Sequence, residues 1–229
     1  MRLSEPDHQK IDAAIAAAER NTSGEILCIV ANEVSDYREV PLAWAAAAAL
    51  ILPLLLIPLG FGPHWLPGFA GGWTAAHSGA LDESAAATLA AYAVTQALIF
   101  ALVTLLGAIP AVRRALTPKG LKARRVHRAA MEQFLAQGIH VTEARTGVLI
   151  FASLADRHAE VIADKGIYEK VKPEVWGDAV AALTKAVQQG RPAEGFVEAV
   201  SLCGTVLAAH FPPGPANPNE LPDKLVVID

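Results

Sequence analysis

The stretch from Ser153 to Gly166, SLADRHAEVIADKG, concentrates side chains that could do chemistry. Its carboxylates at Asp156, Glu160 and Asp164 are the hard oxygen ligands that Ca²⁺ and Mg²⁺ prefer. In a metal-assisted phosphatase such an ion polarises the phosphoryl oxygen and helps to activate water. Arg157, next to Asp156, is suited to pair with an acid or to bind phosphate through two parallel hydrogen bonds. The stretch therefore predicts catalytic candidates at Asp156, Arg157 and Asp164.

The spacing of these residues argues against one shared ion. Residues 158–164 alternate as in a β-strand, with Ala159, Val161 and Ala163 on the face that belongs to the core. The opposite, polar face has a simpler interpretation as solvent-exposed surface. Asp156 and Asp164 lie at opposite ends of this strand, about 26 Å apart if it is fully extended. An aspartate in a turn also commonly bonds local backbone N–H groups, which is the alternative for Asp156.

Two smaller clusters therefore replace the single site. Glu25 begins another apolar strand. It is expected near one end of the β-hairpin that includes residues 158–164, where it would bind metal with Asp164 or Asp178. Asp156 and Arg157 form the second cluster. Glu25, Asp164 and Asp178 are accordingly the predicted ligands for Ca²⁺ or Mg²⁺, the only cofactors that the sequence suggests.

The elements that would position these residues form an α/β pattern. Continuous apolar runs of strand length, EILCIVA and GVLIFAS, are typical of buried central strands, and HAEVIAD alternates as a strand does. Helical periodicity covers residues 4–20, a stretch that opens at Thr117-Pro118, and two stretches that begin at Pro173 and Pro192. This order predicts an α/β/α sandwich with a small mixed sheet.

Two long uncharged segments interrupt this pattern. Val40–Phe61 and Ser84–Val112 contain no charged residue and are each long enough to cross a bilayer. The predicted organisation is a discontinuous α/β domain of residues 1–39 plus 113–210, a transmembrane helical hairpin of residues 40–112 and a Pro-rich tail of residues 211–229, extended or disordered. The two spans are expected at about residues 40–61 and 86–110.

The flanking charges predict the orientation of the hairpin. No Lys or Arg lies between Arg38 and Arg113, whereas a dense basic cluster follows the second span. The positive-inside rule then places both termini in the cytoplasm and residues 62–85 outside the cell (inner) membrane. Because neither span carries an ionisable residue at depth, we expect an anchor and not a transport path.

Composition narrows the partners. The net charge is −4, which offers no basic field for binding nucleic acid. The expected partners are the lipid bilayer, which the two uncharged segments would cross, and other membrane proteins. The sequence leaves the oligomeric state open. Cys28 and Cys203 stand alone in apolar runs and are expected to be buried, reduced thiols.

Three stretches resemble the TPM domain family. IDAAIAAAERNTSGEILCIV is similar to its opening helix, Thr-Ser-Gly-Glu-Ile turn and strand, and GVLIFASLADRHAEVIADKGI to its strand, Asp-Arg turn and second strand. VWGDAVAALTKAVQQGRPAEGFVEAV resembles its paired C-terminal helices. The resemblance covers roughly residues 8–36 and 120–210. It implies an α/β/α sandwich and links the chain to acid phosphatases of the thylakoid lumen and to accessory subunits of membrane proteins.

Two functions follow as hypotheses. The preferred one is a membrane-anchored, non-catalytic module that binds or assists other membrane proteins. The alternative is a metal-dependent, acid-phosphatase-like hydrolase at the membrane surface. The chain differs from typical members of the family in its inserted hairpin and in the sequence SEPDHQ, which replaces an Asp-Ala-Gly stretch near the start.

Overall fold

The structure, a computed structural model, describes residues 3–59, 80–214 and 218–228 of the chain. Within it the chain divides into two compact units. The first unit comprises Met1–Asp36 and Lys119–Asp229, and the second comprises Tyr37–Pro118. Each unit has its own packing and is described by itself.

The first unit is built around a four-stranded sheet. Its strands are β1 (Glu25–Ala31), β2 (Gly147–Ser153), β3 (His158–Ala163) and β4 (Leu225–Ile228). They lie in the order β3-β2-β1-β4, with β1 parallel to both β2 and β4 and with β2 antiparallel to β3. In register, Glu25 lies opposite Gly147 at one end of the sheet, and Ala31 lies opposite Ser153 at the other.

Helices cover both faces of this sheet. One face packs against α1 (Glu5–Glu19), α7 (Gly177–Gln188) and α8 (Pro192–His210), and the other packs against α5 (Lys119–Ala136). Every residue of β1 and β2 is buried because apolar side chains point alternately into these two cores. A short helix, α6 (Lys165–Tyr168), follows β3, and single 3₁₀ turns span Ile139–Val141 and Pro173–Trp176. The predicted α/β/α sandwich with a mixed sheet is confirmed.

The C-terminal tail differs from the expectation. The proline content of residues 211–229 predicts an extended or disordered tail. Instead, residues Leu225–Ile228 form β4 and extend the sheet beside β1. Leu221 and Leu225 are buried, one in each core. The short apolar run LVVI, which follows the last proline, was the signal for this strand.

The second unit consists of helices. They are α2 (Glu39–Leu56), a 3₁₀ turn (Ile57–Leu59), α3 (Ala80–Gly107) and α4 (Pro110–Leu116). Helices α2 and α3 pack against each other. They approach closely at Gly107, where an added Cβ would lie 2.3 Å from Cβ of Pro41. The Trp44 indole N–H donates to the carbonyl of Leu116 at 3.1 Å.

In this unit small side chains are buried and large apolar side chains are exposed, the reverse of the pattern in a water-soluble helix pair. The buried positions of α2 include the small residues Ala45 and Ala49, and Ala91 and Thr95 are buried in α3. Large apolar side chains are exposed instead, for example Leu50, Leu55, Leu98 and Leu105. Exposed apolar surfaces of this extent mark contact sites for a membrane or for another protein.

Among the described residues, three helices are long and apolar enough to cross a membrane: Glu39–Leu56, Leu89–Gly107 and Pro192–His210. The first two belong to the predicted hairpin, whereas the third is α8 of the sandwich. The predicted outer segment, residues 62–85, lies for the most part outside the described residues, since the description of the chain resumes at Ala80.

Candidate functional site

Glu25 lies at the start of the central strand and is 4 % exposed. Its Oε2 accepts hydrogen bonds from the backbone N–H groups of Glu220 and Leu221, at 3.2 and 3.0 Å. Burial raises the pKa of this carboxyl, and these two bonds oppose the rise. Glu25 therefore holds the segment that leads into β4.

Asp164 follows β3 and caps α6. Its backbone N–H donates to the carbonyl of Gly147, and its Oδ1 accepts from the N–H of Lys165 at 2.6 Å. The side chain is buried, and Oδ2 has no hydrogen-bond partner among the described residues. One oxygen of this carboxylate is thus engaged locally and the other is not.

Glu25 and Asp164 lie at the same end of the sheet, as the sequence predicts, but they are separated by β2. Two strand spacings put their backbones about 10 Å apart. The Glu25 carboxylate binds the tail beside β1, on the side away from β3. Asp178, in the first turn of α7, is exposed.

These placements do not fit a shared Ca²⁺ or Mg²⁺ ion. Among residues 3–59, 80–214 and 218–228, no group of three His, Cys, Asp or Glu side chains is arranged to hold a metal. The ligand set of Glu25, Asp164 and Asp178 stays a prediction that the geometry does not favour.

Asp156 and Arg157 occupy the tight turn at the opposite end of β3. Asp156 is 8 % exposed, and its Oδ2 accepts from the Ser153 hydroxyl at 2.7 Å, which fixes the turn locally. Arg157 is exposed and has a φ of 53°, a left-handed conformation that completes the tight turn. A catalytic role for this pair stays untested.

A buried acid that sequence reasoning missed lies near Glu25. Glu19 ends α1, is 9 % exposed, and accepts from the N–H of Ile26 at 2.7 Å. Burial, together with the neighbouring charges of Glu25 and Asp223, raises the pKa of Glu19 to about 8. The signal for it was available, because Glu19 continues the core stripe of Ile11 and Ile15 at a spacing of four residues.

The polar face of β3 is less exposed than expected for a solvated surface. Glu160 has a quarter of its side chain exposed and lies between two imidazoles. Its Oε2 is 3.6 Å from Nδ1 of His127 on α5, and its Oε1 is 3.4 Å from Nε2 of His158. Helix α5 therefore covers part of this face.

Part of the chain, including the turn at Asp156, is similar to a known protein family. Residues 113–206 match the family model described as TPM domain. This part of the chain is similar to a TPM domain. The matched range includes β2, the Asp156–Arg157 turn, β3 and most of α8, so the predicted resemblance is confirmed.

The fold has a counterpart among solved structures. The chain is similar to the NMR structure of the BA42 protein from the psychrophilic bacterium Bizionia argentinensis, with a TM-score of 0.55 and 18 % sequence identity. The match covers 99 % of this chain and 96 % of the BA42 chain. At this identity the similarity concerns the fold. A search among curated proteins gave no match.

Proposed function

We propose that this protein is a membrane-anchored TPM domain that acts as a non-catalytic interaction or accessory module for other membrane proteins. One observation carries the proposal: the acidic side chains that would form a catalytic centre are engaged in structural hydrogen bonds, two of them to backbone N–H groups and one to a serine hydroxyl. Glu25 binds two N–H groups of the tail, Asp164 caps α6, and Asp156 closes a turn. Such roles stabilise the domain and need no substrate.

The anchor is the hairpin of α2 and α3. Its support is the outward exposure of large apolar side chains over small buried ones, an arrangement that suits lipid contact and close helix approach. We do not count helix α8 as a third span, because half of its apolar window is buried, with Phe196, Val200 and Leu207 in the sandwich core. The proposed count is therefore two spans.

The orientation follows from charge. Exposed Lys119 and Arg124 are among the basic residues that follow the second span, whereas the segment between the spans has no Lys or Arg. We therefore assign the TPM domain and both termini to the cytoplasmic side of the cell membrane, and the segment between the spans to the opposite side.

An assay of phosphomonoester turnover tests the non-catalytic proposal. The detergent-solubilised protein is incubated with a generic phosphomonoester and Ca²⁺, Mg²⁺ or chelator, beside the variants Asp156→Asn and Asp164→Asn. We expect all three proteins to give the same background rate with and without metal. Metal-dependent turnover by the wild type that either variant abolishes would overturn the proposal in favour of the phosphatase-like alternative.

A further inference from the structure

Strand β3 forms an open edge of the sheet. The N–H of Asp164 donates to the carbonyl of Gly147, so these two opposed residues form a hydrogen-bonded pair. Hydrogen-bonded and non-hydrogen-bonded pairs alternate along an antiparallel ladder, so every second pair from this point is hydrogen-bonded. The residues between them, Ala159, Val161 and Ala163, therefore direct their backbone N–H and C=O groups away from β2. An edge of this kind is a template for one more strand.

A groove of about 590 Å³ runs along this edge. It is lined by Met131 of α5 on one face of the sheet, by Val161 of β3, and by Trp176, Val180 and Thr184 on the other face. Helices therefore flank the strand edge on both sides. The β3 edge of a second copy carries the same two helices, so an extended segment without its own helices is the better occupant.

The charges of the groove select the side chains of the occupant. On the α5 face, the carboxylate of Glu160 lies beside the imidazoles of His127 and His158 and favours a Lys or Arg side chain. The lysine of the groove lining, Lys185, belongs to α7 on the opposite face. On the α7 face, Val161, Trp176 and Val180 favour a large apolar one. Successive residues of a strand point to opposite faces, so a segment that alternates apolar and basic residues satisfies both faces.

From these observations we infer that the β3 edge is a docking groove in which an extended, alternately apolar and basic segment of a partner protein pairs as a fifth strand. The inference deepens the proposed interaction function and rests on it. Cytoplasmic flanks of membrane spans are enriched in Lys and Arg, so the flank of a partner membrane protein has the required chemistry. The mode of binding is β-strand addition.

Peptide titration of the full chain in nanodiscs tests this inference. The probes are a synthetic heptapeptide of alternating Val and Lys, the matching Val and Glu peptide, and a Val and Lys peptide with N-methylated backbone. We expect calorimetry to detect the first peptide and to show binding at least about tenfold weaker for the other two, since one lacks charge complementarity and the other cannot pair with the strand.

Two variants of the protein complete the test. Ala181→Trp fills the groove from an exposed position of α7 and is expected to weaken binding by about tenfold or more, whereas Gln189→Trp, an exposed position outside the groove, leaves it unchanged. Glu160→Lys is expected to reverse the preference between the Lys and Glu peptides.

Several results would contradict the proposal that the β3 edge is a docking groove. They are the absence of binding, equal binding of the N-methylated peptide, and equal binding by Ala181→Trp. Concentration-dependent dimerisation that Ala181→Trp abolishes would assign the edge to a second copy instead. Phosphomonoester turnover measured on the same preparation reports separately on the proposed function: turnover without peptide binding refutes both, and peptide binding with turnover refutes only the non-catalytic role.

Discussion

At the scale of single residues, several carboxylates of this domain accept hydrogen bonds from backbone N–H groups. Glu25, Asp12 and Glu220 each accept a hydrogen bond from a backbone N–H of a segment distant in sequence. Hydrogen bonds to an ionised acceptor are stronger than neutral ones. Two of these carboxylates, Glu25 and Asp12, bind residues of the C-terminal tail and so fix β4.

Removing the carboxylate of Glu25 tests its role as a structural acceptor. Glu25→Ala leaves the N–H groups of Glu220 and Leu221 without their acceptor, and we expect the free energy of unfolding to fall by about 1–3 kcal/mol. Denaturation of the detergent-solubilised protein measures the change. Asp178→Ala, at an exposed position, is the control and is expected to stay within about 0.5 kcal/mol of the wild type. Stabilisation by Ca²⁺ that both variants abolish would instead support the predicted metal site.

The buried acid Glu19 makes stability depend on pH. Its pKa of about 8 in the folded state lies above the ordinary value of 4.5, so between these values the unfolded chain loses a proton that the folded chain retains. Stability should therefore fall as pH rises from about 4.5 to about 8, and this contribution should be constant above that range. Glu19→Gln keeps an acceptor for the N–H of Ile26 and cannot ionise.

Thermal unfolding of wild type and Glu19→Gln at pH 5 and pH 8.5 measures this effect. The variant is expected to resemble the wild type at the lower pH and to be more stable at the higher one. The charges that face Glu19 are those of Glu25 and Asp223, so a parallel series with Asp223→Asn should show a smaller loss of stability with pH than the wild type. A pH profile that Glu19→Gln leaves unchanged would assign the dependence to another group.

At the scale of elements, the added strand β4 is the part that sequence reasoning missed. β1 and β2 were predictable because seven successive apolar residues suit a strand that is buried on both faces. β4 has only four residues and follows a Pro-rich stretch, so composition outweighed the pattern. Glu160 was also only partly predictable. The alternation of its strand was predicted correctly, but the packing of α5 over the Glu160 side chain depends on tertiary structure.

The contribution of β4 to the core can be measured with paired substitutions. Leu225→Ala removes a side chain that is 7 % exposed in the sandwich core and is expected to cost about 2 kcal/mol or more. Val227→Ala removes one that is 48 % exposed on the same strand and is expected to cost much less. Chemical denaturation distinguishes the two, and equal costs would show that β4 adds no buried surface.

Close approach of the two hairpin helices gives another test. In Gly107→Ala the new Cβ would lie 2.3 Å from Cβ of Pro41, so the helices must separate. Gly120→Ala, in a helix and with open space around its Cβ, is the matched control and should stabilise by about 0.5–1 kcal/mol through helix propensity. We expect thermal unfolding in detergent to show a lower midpoint for Gly107→Ala alone. A rise in both variants would mean that the helices do not pack as described.

At the scale of the whole molecule, the proposed orientation predicts which sites reagents can reach. Both native cysteines are fully buried, and burial raises the pKa of the Cys28 thiol, so neither should react. A cysteine introduced between the spans by Ser78→Cys should react with a membrane-impermeant maleimide in intact cells. Ser201→Cys, at an exposed position of α8, should react only after permeabilisation. The opposite pattern would reverse the orientation.

The position of β1 in the sheet has a consequence for biogenesis. β1 is synthesised before the hairpin, but its neighbours, residues 147–153 and 225–228, follow it by more than a hundred residues. The sheet cannot close until both proposed spans have left the ribosome and the final strand has emerged. In the proposed topology both spans are thus available for insertion before the domain can be completed. A nascent chain whose spans fail to insert would carry an unpaired central strand together with two apolar helices.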